Sequence, residues 1–385
     1  MTDTADVVIV GAGIMGVSTA YHLARRRAGR VVVVERDGIC EGSTALASGG
    51  IRHQYANRIG IELTLNVIET FERFEDEFGV DPQFRQHGYL ILAATEAELA
   101  LARRNLALQR SLGVDVTLLS PEETRRRFPY LDTERPARGV LLAARWLCRP
   151  VPGHDGDGRA GPRAGRRDSH GHGGDGRAPE RHAGRGRDDV GGRDRRAGRR
   201  PRRRRVVGGR RTAGRDRRAG APAAALEVHH RAVSFERIPE ATPFIIDTHQ
   251  GISMRREGAG LLLGIGRRDD APSFDTHPDW SLTEPLVERA VHRAPALADA
   301  SLMRGWAGLY EMTPDQTGIL SAVPEVEGLH VIAGFSGHGF MHGPIAGRLM
   351  AELIADGRAT TVDIAPLALG RFARGELAVE PLTFT

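Results

Sequence analysis

Apolar residues recur along this chain in two regimes. Short runs bounded by glycine alternate with longer stretches whose apolar positions are spaced by three and four. Val7 to Val10 is a β-branched run that feeds into Gly11-Ala12-Gly13-Ile14-Met15-Gly16. An Ala-rich helical pattern then continues to about Ala28, and Val31 to Val34 is a second run. Helices are predicted over Ile59 to Phe78 and Glu96 to Leu112, and strands over Gly88 to Ala93, Val114 to Ser120 and Arg138 to Ala143. Ser120-Pro-Glu-Glu123 reads as a helix start with a capping-box acid. From Leu226 to Gly266 three alternating or apolar runs separated by turns predict antiparallel sheet, with His229 and His230 in the first, and a helix follows from Thr283 to Arg293. Near the C-terminus a strand (His330 to Ala333) enters a glycine-rich turn (Gly334 to Gly343) and then a helix with Pro344 near its first turn.

The first strand, turn and helix have the spacing that binds a dinucleotide. Gly11 makes the turn, Gly13 lets backbone approach a pyrophosphate and Gly16 lets helix and strand pack closely. The helix N-terminus presents free N–H groups and a positive dipole end to phosphate. Glu35, about 20 residues on, ends the next strand where a carboxylate meets a ribose. The turn alone leaves FAD and NAD open. The second strand, glycine turn and helix, at Gly334 to Gly343, offers another anion site.

A length of 385 residues suits two domains, and 40% hydrophobic content suits a folded enzyme. No apolar run approaches the roughly 20 residues of a membrane span, and Met1 to Ala5 is polar, so the expected location is the cytoplasm. Cys40 and Cys148 have no disulfide or zinc spacing, and the histidines have no spaced carboxylate partners, so no metal site is expected. Trp146, Trp280 and Trp306 read as packing residues.

The net charge of +5 is misleading until it is located. Arg149 to Pro222 holds 23 Arg and 9 acidic residues, a net of +14, which leaves −9 for the rest. That segment has no Leu, Ile, Met, Phe, Tyr, Trp, Asn, Gln or Cys. It cannot bury enough apolar area to offset chain entropy, and disorder is expected. Without aromatic residues between the charges it lacks the stacking groups of a nucleic-acid binder, so no nucleic-acid partner is expected. The whole chain lacks lysine, which suggests a GC-rich gene, and out-of-frame reading of such DNA yields Arg, Gly, Ala, Pro and Asp. A frameshifted stretch between Cys148 and Pro222 and a natural Arg/Gly-rich insert are both open readings.

Two further stretches are Cys40-Glu-Gly-Ser-Thr-Ala-Leu-Ala-Ser-Gly-Gly-Ile-Arg-His-Gln-Tyr55, rich in small residues, and Gly305-Trp-Ala-Gly-Leu-Tyr-Glu-Met-Thr-Pro-Asp315. With GAGIMGVSTAYHLA, VVVVER and GFSGHGFMHGPIAGRLMAELI, they resemble the FAD-dependent amine and amino-acid oxidoreductases of the D-amino-acid oxidase and sarcosine oxidase type. The resemblance is strongest to sarcosine oxidase β-subunit-like and proline- or glycine-oxidising members, and covers Ala5 to Cys148 and about Leu226 to Phe372. It implies an α/β fold in which a doubly wound, Rossmann-like FAD-binding domain is interleaved with a mixed-sheet substrate domain. Residues 1–80 and 305–375 would form the first and 81–148 and 223–304 the second, with 149–222 as the aberrant or disordered segment.

By the same resemblance, Gly11, Gly13 and Gly16 would hold the pyrophosphate, with Ile14 and Met15 beside them, and Glu35 the ribose, next to Arg36. Ser43, Thr44 and Gly50 would lie near the pyrophosphate or flavin, and Gly337, His338, Gly339, Phe340 and Met341 would line the pyrimidine side of the flavin. Arg52 would pair with a substrate carboxylate, Tyr310 would hydrogen-bond it, and His338 would complete the catalytic set. The reaction implied is hydride transfer from a small secondary amine or amino acid (sarcosine, glycine or proline type) to flavin N5, giving an imine that hydrolyses. Gly308 stands where related oxidases carry a flavin-tethering cysteine, so FAD is expected to be non-covalent. Met341 stands where they carry a lysine, and no lysine can activate oxygen. A dehydrogenase with an electron acceptor other than or besides oxygen is therefore favoured over an oxidase, and the resemblance leaves room for other subunits. The alternative is a non-catalytic product of a frameshifted gene, unable to hold FAD.

Overall fold

The computed structural model describes residues 4–133, 238–258, 260–266 and 272–380, and the backbone of three strands at 139–143, 205–208 and 221–228. The described elements, in chain order, are strand β1 (Val7–Val10), helix α1 (Ile14–Arg25), β2 (Val31–Val34), α2 (Arg58–Glu72), α3 (Phe74–Phe78), β3 (Tyr89–Ala93), α4 (Glu96–Ser111), β4 (Val116–Leu119), α5 (Pro121–Arg127) and β5 (Gly139–Ala143). There follow β6 (Arg205–Gly208), β7 (Ala221–Val228), β8 (Phe244–Asp247), β9 (Ile252–Glu257), β10 (Gly260–Gly266), α6 (Thr283–Arg293), β11 (Arg304–Tyr310), β12 (Ile319–Ala322), β13 (Leu329–Ala333), α7 (Gly339–Asp356) and α8 (Arg371–Arg374).

The helix starts follow local chemistry. Asn57 caps α2 by accepting from the Gly60 N–H. Thr95 and Ser120 open α4 and α5 with complete capping boxes to Glu98 and Glu123. The helix predicted over Ile59 to Phe78 breaks at Arg73, whose φ of −102° and ψ of 12° leave the helical region. Helix α7 begins at Gly339, inside the stretch read as turn, so Pro344 sits within it. The proline has no N–H for the Phe340 carbonyl four residues back.

Two sheets carry the fold. The first has the order β12-β13-β6-β1-β2, with β1 parallel to both β2 and β6. The second has the order β11-β7-β10-β9-β8-β3-β5-β4. The antiparallel pairing expected from Leu226 to Gly266 holds for β7 with β10, β10 with β9 and β9 with β8. The sheet as a whole is mixed, because β8 runs parallel to β3. A strand pattern specifies which residues face the core, not which distant strand it will join.

Of the segment read as disordered, only β6 and the first two residues of β7 are described. Strand β6, RVVG, fills the place between β1 and β13, within the segment for which disorder was expected. His229, His230 and Trp146 lie outside the described residues. The boundary placed at residue 305 falls inside β11, a strand of the second sheet.

Alternation along β3 and β8 divides the interior in two. Tyr89, Ile91, Phe244 and Ile246 pack with α2, α7 and the first sheet. Leu90, Leu92 and Ile245 face the other way, against Leu286 and Ala290 of α6. Among the described residues no helix is long and apolar enough to cross a membrane.

Candidate active site

Both glycine turns open onto one cavity. Gly11, Gly13 and Gly16 line it from the β1–α1 side, and Gly337, His338 and Gly339 from the start of α7. Gly11 has a φ of +105°, which L side chains rarely adopt, and a Cβ at Gly16 would fall 1.9 Å from the Gly11 carbonyl oxygen. Those two glycines are sterically required, and the turn they form puts the N-terminus of α1 on the cavity wall. Neither α1 nor α7 carries a side-chain N-cap or an acidic residue in its first turn, so both helix ends keep an unfilled preference for anions. Thr44 Oγ1 accepts from the Ile14 N–H at 3.0 Å. The Glu35 carboxylate accepts from the Ala12 N–H at 2.6 Å and lines the same cavity.

Helices α1 and α7 hold the two turns in register by close packing. A Cβ at Gly347 would fall 2.6 Å from the Thr19 backbone nitrogen, and the Ser18 hydroxyl donates to the Pro344 carbonyl at 2.9 Å. The turns converge because small residues let these helices approach.

Arg52 is buried between them. Its Nε donates to the Gln54 carbonyl at 3.2 Å, and a terminal nitrogen meets Nε2 of His338 at 2.9 Å. Arginine has only donors, so Nε2 accepts and the His338 proton sits on Nδ1. Burial, then the Arg52 charge, pushes the His338 pKa well below its ordinary value, so the ring is neutral. His342 is held at about 3 by burial and then Arg52. His53 is held at about 4 by burial. Tyr55 lies between His338 and His342, each ring centroid 5.1 Å from its own, and donates to Sδ of Met341 at 2.6 Å. The Tyr310 ring rests on Gly337, where an added Cβ would come 3.1 Å from it, and burial pushes its hydroxyl pKa up. Gly337, with φ of +88°, is thus confined on two grounds.

The cavity brings together Gly11, Gly13, Ile14, Met15, Gly16, Glu35, Ser43, Thr44, Gly50, Arg52, Tyr310, Gly337, His338, Gly339, Phe340 and Met341. Arg36 is the exception: its exposed side chain pairs with Asp37 at 2.9 Å and is not part of the lining. Sequence reading missed Tyr89, Phe244 and Ile246, which β3 and β8 turn into the cavity. GYLILA marked a strand, but the direction its tyrosine faces is a property of the sheet. Trp280, read as a packing residue, is 52% exposed. The close turns, uncapped helix ends, terminal acid and apolar far wall fit a dinucleotide carrying a flat ring system.

Known proteins are similar to this chain in sequence and fold. The family model described as FAD dependent oxidoreductase (DAO) matches residues 6–151 and 211–353. The Xenopus laevis protein named "FAD-dependent oxidoreductase domain-containing protein 1" is 30% identical over 98% of this chain and 84% of its own. Sarcosine oxidase subunit beta of an Arthrobacter species is 26% identical over 97% of this chain and 93% of its own. The L-proline dehydrogenase of P. horikoshii superimposes with a TM-score of 0.75 at 22% identity, over 98% of this chain and all of that one.

Proposed function

The chain belongs to the DAO family of FAD-dependent oxidoreductases, and on that premise we propose that it oxidises a small secondary amine or amino acid bearing a carboxylate, of the sarcosine, glycine or proline type. The observation that carries the reading is Arg52: a buried guanidinium in the cavity wall, fixed by His338 and walled by Tyr310. FAD, when bound, supplies the hydride acceptor.

The chain's own groups do the rest. Gly11, Gly13, Ile14, Met15 and Gly16 would hold the pyrophosphate against the α1 N-terminus, with Ser43, Thr44 and Gly50 alongside, and Glu35 would accept from the ribose. Residues 337 to 341 present the uncapped α7 N-terminus, whose N–H groups would line the pyrimidine side of the flavin and would stabilise negative charge there. The Arg52 guanidinium holds the substrate carboxylate with two parallel N–H donors. The Tyr310 hydroxyl, kept protonated by burial, donates to the same group. His338 is neutral and an acceptor toward Arg52, so it orients the guanidinium without competing for the anion. Ile246 and Phe244 exclude water, and a neutral amine needs no strong base to give up hydride. The product is an imine, which water hydrolyses.

Gly308 supports non-covalent FAD, because it offers no nucleophile beside Leu46 on the cavity wall. The absence of lysine and the thioether of Met341 support a dehydrogenase passing electrons to an acceptor other than or besides oxygen. The relative named as a β subunit supports partner subunits.

The test is spectroscopic and kinetic. Purified protein carries a flavin band that denaturant releases, and an amine panel reduces an artificial dye faster than it forms hydrogen peroxide. Stoichiometric peroxide at a high rate overturns the dehydrogenase reading. Colourless protein supports the frameshifted, non-catalytic product, against which β6 stands as an intact member of the first sheet.

A further inference from the structure

Tyr89 is a buried phenol that the reading above does not use. It opens β3 and lines the same cavity as Arg52. Its ring stacks on Phe244 of the neighbouring strand, centroids 4.6 Å apart and planes 7° from parallel. Its hydroxyl rests on Gly50: an added Cβ there would fall 1.7 Å from that oxygen and 2.9 Å from Phe244. Gly50 has no positive φ, so what the glycine provides is room for this hydroxyl. The guanidinium of Arg52 and, farther along, that of Arg255 act on the phenol, and the Tyr310 hydroxyl is its neighbour.

Arg52 can only donate to the Tyr89 oxygen, so the phenol's proton is left to point elsewhere. Among the described residues no acceptor takes that proton; the Tyr89 carbonyl accepts from Gln54 at 3.3 Å. Burial keeps the hydroxyl protonated. A donor beside a guanidinium, held by a stacked ring and a glycine shelf, is a preorganised group for an anion. Met341, on the same cavity, offers only an uncharged thioether already taken by Tyr55.

We propose that Tyr89 is a substrate-binding residue: its hydroxyl donates to the carboxylate that Arg52 holds, and Gly50 is the shelf that sets its position. The inference rests on the carboxylate role given to Arg52. It adds a second neutral donor, beside Tyr310, to the charged fork of Arg52, and selects substrates whose carboxylate is free rather than esterified.

Acetate binding to the flavin-loaded enzyme, read as a change in the flavin absorbance band, tests it without turnover. Tyr89→Phe keeps the ring on Phe244 and removes only the hydroxyl. A hydrogen bond to a charged group is worth a roughly ten- to hundred-fold change in affinity, so acetate should bind that much more weakly. Gly50→Ala leaves both functional groups intact but displaces the hydroxyl, and should weaken acetate similarly. With the amine found by the panel, KM rises in Tyr89→Phe while kcat stays within about threefold. Acetate affinity in Tyr89→Phe within twofold of the parent, with Arg52→Gln having lost it, overturns this inference and leaves the Arg52 reading standing. A yellow parent enzyme that ignores acetate overturns both. If Tyr89→Phe is colourless, Gly50→Ala carries the same comparison, and loss of flavin from both variants makes these residues cofactor supports and ends the proposal.

Discussion

Arg52 and Glu352 are both buried charged side chains, and their surroundings give them different work. Arg52 is turned to the cavity with a neutral histidine behind it. Replacing it by Gln should cost roughly 2–4 kcal/mol of transition-state binding, about thirty- to a thousand-fold in kcat/KM. Lys should rescue little of this, because an ammonium cannot present two parallel donors; steady-state kinetics on the preferred amine checks both variants. Glu352 on α7 is a structural anion. Burial alone would raise its pKa, but the Thr361 hydroxyl and the Thr360 and Thr361 N–H groups outweigh it and hold the carboxyl at about 2, below its ordinary 4.5. A depressed folded pKa means the stabilisation is complete above about 4.5 and is lost as pH falls toward 2. The stability gap between the parent and Glu352→Gln should therefore be widest above pH 4.5 and close through that window, as urea melts at stepped pH would show.

At the scale of elements, the site depends on two helices approaching closely enough to aim both turns at one space. Gly347 makes that approach possible against Ser18 and Thr19, and Gly16 lets α1 start directly against the Gly11 carbonyl. Gly16→Ala should abolish flavin retention, measured as the ratio of flavin to protein absorbance, because its Cβ requires the turn to move. Gly347→Ala overpacks a helix contact, which commonly costs about 1–3 kcal/mol. It should lower the denaturant midpoint and loosen FAD together, since separating α1 from α7 separates the anion sites. The strand–turn–helix units were legible because glycine and β-branched runs act locally. The start of α7 was misread by five residues, since glycine-rich sequence at a helix N-terminus has the composition of a turn and takes its helical form only when packed on α1.

At the scale of the molecule, the C-terminal segment is tied to the site by a buried ion pair. Arg371 donates to both carboxylate oxygens of Asp315 at 2.7 and 2.9 Å, and the Ala378 N–H adds a third donor. The Glu380 N–H meets the Asp315 carbonyl, and the Glu380 carboxylate accepts from the Ala56 N–H, four residues beyond Arg52. Burial would raise the Asp315 pKa, but Arg371 and these donors hold it below the ordinary carboxylate range. Arg371→Ala leaves that carboxylate buried without its partner and should cost about 3–5 kcal/mol. An Asp315→Asn, Arg371→Met double variant should recover part of the loss in chemical denaturation. The sequence alone determined the dinucleotide turn, the acid after β2, the family and the residue types of the site, because each is written in short spacings that backbone geometry enforces locally. Only the tertiary structure decided that β8 joins β3 in parallel, that RVVG completes the first sheet, that Arg36 points to solvent and that Tyr89 faces Arg52. Those outcomes depend on pairings between positions far apart in the chain, set by shared burial and close packing, for which a linear pattern of apolar and polar residues contains no address.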